Sequence, residues 1–166
     1  MRFMTTAALI LVSAIALSAQ APAGWKQRLD RSTSASDPDG AGAVKFVAMD
    51  NGFHATNPTA AVYWNTANTA TGNYTVKGSF KLIKPSGHVN YYGLVFGGSN
   101  LEGATQSYLY FMVAQNGSWL LKRRDGDANA PTIARGDNAA IAKPGRRHVP
   151  STRWKCASKP TPSTTW

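Results

Sequence analysis

From Tyr91 to Arg124 the chain reads as three consecutive strand-like runs, YYGLVFGGSN, then YLYFMVAQ and SWLLKRR on either side of Asn116-Gly117. Side chains of an extended chain alternate between the two faces of a pleat, so runs rich in aromatic and aliphatic residues and closed by glycine or asparagine specify strands. Asn116-Gly117 accepts the positive φ angles of a type I′ turn, and a two-residue loop there makes a hairpin. In that register Gln115 faces Ser118 and Val113 faces Leu120. One face then carries Tyr108, Tyr110, Met112, Trp119, Leu121 and Arg123, and the other Leu109, Phe111, Val113, Leu120, Lys122 and Arg124. The aliphatic and Phe set is the expected core, which leaves the Tyr, Met, Trp and Arg face to water.

Similar signals precede the block. Val44–Met49 is a plausible strand, Asp50-Asn51-Gly52 turns into Phe53–Thr56, and Ala60–Trp64 is short and apolar. Tyr74–Ile83 alternates Tyr, Val, Gly, Phe and Leu with Thr, Lys, Ser and Lys, the pattern of a strand with one wet face. Val89–Phe96 follows a Pro85-Ser86-Gly87 turn. No stretch after the first 21 residues holds a helical apolar period. The expected fold class is all-β, an antiparallel β-sandwich or jelly roll spanning residues 22–142.

The two ends read differently. Residues 1–21 have a basic Arg2, an apolar run from about Ala7 to Leu17 and small residues at Ala19-Gln20-Ala21, which is the layout of a cleaved secretory signal. A secreted, extracellular or periplasmic location is expected, with no membrane insertion after cleavage. After Ala142 the patterning stops, and residues 143–166 form an irregular basic tail. Back-translating Ser151–Trp166 with G/C-favouring codons and moving the frame by one base yields VNALEVRVQADTVDYL, which contains an alternating strand. A reading-frame slip is therefore expected, with the domain lacking its final strands and prone to aggregation through its open edges.

The net charge of +10 belongs mostly to that tail. Trp25–Ala142 holds eleven Lys or Arg against eight acids, a balance of +3, whereas Lys143–Trp166 holds six bases and no acid. A nearly balanced body argues against nucleic acid as partner. Cys156, the sole cysteine, also lies in the tail, so neither an internal disulfide nor a thiolate zinc cluster is available.

Catalytic signatures are sparse. Glu102 is the only glutamate and falls in a loop, so no strand carries the carboxylate pair of a glycosidase. Asp125 and Asp127 bracket Gly126 and are weak calcium candidates, although turn chemistry explains them as well. His54, His88 and His148 have no metal-ligand spacing. No catalytic residue and no cofactor other than calcium is suggested. What remains is aromatic surface, including Tyr63, Trp64, Tyr91 and Tyr92. Such rings stack on the C–H face of a sugar and hydrogen-bond to its rim, and Arg123 beside Trp119 adds a donor fork. Tyr108, Tyr110, Trp119 and Arg123 are the candidate ligand-binding residues.

YYGLVFGGSN followed by YLYFMVAQNGSWLLKRRDGD resembles the core strands of concanavalin A-like lectin/glucanase domains, including the laminin-G-like jelly rolls of secreted bacterial proteins. The resemblance covers about Val44 to Asp127 and its motifs are structural. It implies a secreted, non-catalytic domain that binds carbohydrate or glycan. The enzymatic branch with a family-16 hydrolase signature has a strand with two glutamates and an aspartate, and that strand is missing here. A glycoside-active enzyme of the keto-disaccharide hydrolase-like or glucanase type is the alternative, as is a structural cell-surface module, because one fold hosts all three.

Overall fold

A computed structural model describes residues 21–33 and 39–141, together with the backbone of 151–158. The expected signal segment, His148 and most of the tail lie outside the described residues. Among the described residues every regular element is a strand and every strand pairing is antiparallel. Strand β1 is Trp25–Leu29, β2 Lys45–Met49, β3 Gly52–Thr56, β4 Ala61–Asn65 and β5 Tyr74–Lys81. The block seen in sequence supplies β6 (Tyr91–Ser99), β7 (Ser107–Ala114) and β8 (Ser118–Asp125), followed by β9 (Thr132–Asp137) and β10 (Ser151–Ser158). The all-β class is therefore as expected. No helix among the described residues is long and apolar enough to cross a membrane.

Strands β6-β7-β8-β9 form a four-stranded meander, and three two-stranded pairs accompany it: β1-β4, β2-β3 and β5-β10. Two strands thus follow the block, β9 inside the expected domain and β10 within the stretch expected to be an irregular tail. Neither announces itself in sequence. In β9, Thr-Ile-Ala-Arg-Gly-Asp, the one large apolar residue, Ile133, is 55% exposed, so the strand is held by backbone bonding to β8 rather than by a buried face. Ser151–Ser158 lies within the stretch read as irregular, yet its backbone pairs residue for residue with β5, from Ser151 opposite Lys81 to Ser158 opposite Tyr74. Strand β1 was likewise invisible, because Trp-Lys-Gln-Arg-Leu has no alternation.

The central hairpin departs from the expected register. Val113 lies opposite Trp119 and Tyr110 opposite Lys122, so the loop has three residues, 115–117. The Gly117 amide donates to the Ala114 carbonyl at 3.0 Å, Gly117 has φ of 94°, and Asn116 Oδ1 accepts from the Ser118 amide. This is a tight turn completed by a glycine in the left-handed region, the usual three-residue hairpin. One extra loop residue shifts β8 by one position, and a shift of one moves every side chain of the strand to the other face.

The result is a sheet with two differently covered faces. Tyr108, Tyr110, Met112, Leu120, Lys122 and Arg124 share one face, together with Val95 of β6. On it Tyr108 and Tyr110 pack with Val62 of β4, flanked by Trp64, Val95, Leu101 and Met112. The other face holds Leu94, Phe111, Val113, Trp119, Leu121 and Arg123. There Phe111 stacks on Trp119 at 5.9 Å, and Phe80 of β5 meets Tyr92 at 6.2 Å. The tyrosine side is a core face, contrary to expectation: Tyr108 and Tyr110 are 2% and 5% exposed. Beyond β4, a further aromatic cluster joins β1–β4, with Phe46 stacked on Tyr63 at 4.1 Å and Trp25 against Phe53 at 4.7 Å.

Candidate functional site

The four candidate ligand-binding residues do not form one surface. Tyr108 and Tyr110 are buried beneath β4, while Trp119 and Arg123 sit on the opposite face of the sheet. The slipped register is the physical reason. Of the aromatic residues singled out in sequence, Trp64 lines a cavity beside the sheet.

That cavity is a cleft of about 510 Å³. Gln27, Arg28 and Leu29 of β1 and Trp64 of β4 line it, with Leu101 and Glu102 from the β6–β7 loop. Arg31, Arg124 and Asp127 complete the lining. Residue order in β1 explains much of this arrangement. Lys26 pairs with Trp64 and Arg28 with Val62 across the ribbon, so both cations face the large sheet and reach its loops.

Arg28 clamps the β6–β7 loop. Its Nη1 donates to the carbonyls of Leu101 and Gly103, and its Nη2 pairs with Asp127 Oδ1. Within the loop Asn100 has φ of 50°, its carbonyl accepts from the Gly103 amide at 2.9 Å, and its side chain donates to Thr105. Lys26 Nζ donates to Glu102 Oε1 across the rim. That pair is exposed on both sides, 45% and 66%, and such pairs contribute about 0–1 kcal/mol. Glu102 is thus oriented but not committed.

Beneath the rim lies Arg124, 3% exposed. Its Nε donates to Asp30 Oδ1 at 2.6 Å, its Nη1 to the Asp127 carbonyl at 3.0 Å and its Nη2 to the Arg31 carbonyl at 2.8 Å. Burial works against the guanidinium charge, but Asp30 and Tyr108 outweigh it and hold the group above its ordinary range. The Tyr108 hydroxyl lies against this pair without hydrogen-bond geometry to either member. Burial first, and then the charge of Asp30, push its pKa well above that of a free phenol. Tyr110 is pushed up to about 12 by the same two causes.

Asp127 accepts from Gln106 Nε2 at 2.9 Å as well as from Arg28. The Gln106 hydrogen bond, and then Arg28, hold its carboxyl below the usual range. Asp125 points elsewhere, with Oδ2 3.7 Å from Arg123. The two weak calcium candidates are therefore turned to different arginines, and no group of three or more potential metal-ligating side chains occurs among the described residues.

The cleft combines a half-buried indole, two carboxylates and arginines held by a fixed hydrogen-bond frame. Sequence reasoning had marked Trp64, Glu102 and Asp127 individually. It missed Arg28 and Arg31, because neither β1 nor the residues just after it carry a strand signal. No protein-family model matches the chain, and no curated protein or solved structure matches it significantly. The fold and the cleft together define an all-β antiparallel protein with a polar, pre-formed recess beside its main sheet.

Proposed function

We propose that this is a non-catalytic carbohydrate- or glycan-binding domain of the secreted, concanavalin A-like jelly-roll kind, with its site in the β1 cleft. The observation that carries the reading is the placement of Trp64 beside Glu102 and Asp127 in one recess. An indole offers a flat apolar surface to the C–H face of a pyranose, and the carboxylates beside it match the hydroxyl rim. The Arg28 and Arg124 clamps add pre-organisation, which lowers the ordering cost of binding.

A glycan array probed with the full chain tests this. Binding that is lost in Glu102→Ala and in Asp127→Ala, with unchanged thermal melting, is the expected outcome. Binding to no glycan, or binding indifferent to both substitutions, removes the proposal.

Hydrolysis is the second reading, since Glu102 and Asp127 share the recess. A general acid must keep its proton near neutral pH, whereas Asp127 is held in its ionised form. Turnover of disaccharides that disappears in Glu102→Gln would favour the enzyme.

A further inference from the structure

The cations around the cleft are matched by carboxylates with one exception. Lys26 is paired with Glu102, Arg28 with Asp127 and Arg124 with Asp30. Arg31 also lines the recess, yet among the described residues its guanidinium has neither a hydrogen bond nor an ion pair. The neighbouring Asp39 carboxylate accepts from the backbone amide of Ser32 instead.

The Arg31 backbone is nonetheless anchored, because its carbonyl accepts from the buried Arg124 at 2.8 Å. An anchored backbone and an unengaged planar fork, on a residue that lines the recess, are suited to receive an oxyanion. Guanidinium binds carboxylate or sulfate-like groups through two parallel donors, and charge-assisted bonds of this kind are about twice as strong as neutral ones.

We propose that the cleft selects an anionic saccharide, with Arg31 receiving the uronate carboxylate or sulfate ester while Trp64 stacks on the ring. This rests on the glycan-binding reading above. Arg31 would then be the residue that sets specificity, and Glu102 would serve the sugar hydroxyls common to neutral and acidic ligands.

Isothermal titration of the full chain with four probes tests it: trigalacturonate, its methyl ester, a heparin-derived hexasaccharide and maltotriose. The expected result is that trigalacturonate or the hexasaccharide binds at least tenfold more tightly than the ester and maltotriose, and which of the two binds identifies carboxylate or sulfate. Arg31→Gln should weaken that binding about ten- to hundredfold and abolish the preference, with Arg31→Lys in between because it keeps charge but loses the fork. Lys84→Gln, which removes one exposed charge outside the cleft, should bind as the wild type does.

Equal affinity for trigalacturonate and its methyl ester, combined with no binding of the hexasaccharide, overturns the proposal and leaves glycan binding intact. An equal loss in Lys84→Gln also overturns it, since overall charge would then explain the attraction. If none of the four probes binds and the glycan array is blank, both readings fall together.

Discussion

Arg124 and Asp30 form a buried ion pair between residues 94 positions apart, joining the end of β8 to the residue that follows β1. The guanidinium side chain is 4% exposed and the carboxylate 14%. Removing one partner strands the other charge in a poorly solvated place, at a cost of several kcal/mol. Arg124→Leu and Asp30→Asn should each lower unfolding free energy by about 3 kcal/mol. The double change Asp30→Asn with Arg124→Leu should cost clearly less than the sum of the two singles. Urea denaturation of the four proteins checks this, and full additivity would show that the pair contributes no coupling.

The tyrosines beside this pair make stability sensitive to alkali. Tyr110 has a folded pKa of about 12 against an ordinary 10.0, and that of Tyr108 is also raised. Between these values the unfolded chain has lost protons that the folded chain still holds, so stability falls as pH rises from about 10 and levels off only above the folded pKa. Each such group contributes a slope of up to about 1.4 kcal/mol per pH unit in that window. Melting temperatures from pH 8 to 12 should fall less steeply in Tyr110→Phe than in the wild type.

Tyr108→Phe isolates a different quantity. Its hydroxyl is buried without a partner of good geometry, and removing an unsatisfied buried polar group is neutral or stabilising. We expect the variant to be at least as stable as the wild type at pH 7 by thermal melting. A loss above about 1 kcal/mol would mean that the hydroxyl donates a hydrogen bond of ordinary strength.

Gly93 sits in β6 opposite Met112. A Cβ there would lie 2.0 Å from the Phe111 carbonyl oxygen and 2.8 Å from Met112 Cα, both backbone atoms of the paired strand. Gly93→Ala should therefore separate β6 from β7 and cost about 3 kcal/mol. Gly87→Ala adds a methyl with nothing within 4 Å and should change stability by less than about 0.5 kcal/mol. Chemical denaturation distinguishes the two.

The loop at Gly117 fixes the faces of β8. With φ at 94°, Gly117→Ala places a side chain in the left-handed region, at a cost of about 1–2 kcal/mol. Reduced hydrogen-exchange protection should appear first at the β7–β8 pairing, and protection equal to the wild type would show that the turn can be built another way.

The sequence by itself determined that the chain is an antiparallel β protein. It located β2 to β8 closely, because residue propensity, alternation and turn chemistry are local and each strand from Lys45 to Asp125 carries at least one of them. It could not determine which residues of β8 share a face with Tyr108 and Tyr110, since that depends on whether two or three residues turn at Asn116-Gly117, and both loops suit the same letters. Tertiary structure decided the matter: β4 lies over Tyr108 and Tyr110, with Val62 packed against both rings. It also decided the existence of β1 and β9, whose residues become strands by bonding to β4 and β8 rather than by their own pattern. The cleft follows from the same cause. Its members come from β1, β4 and two loops far apart in sequence, and only the antiparallel pairing of β1 with β4 brings Arg28, Arg31 and Trp64 to the loops that hold Glu102 and Asp127.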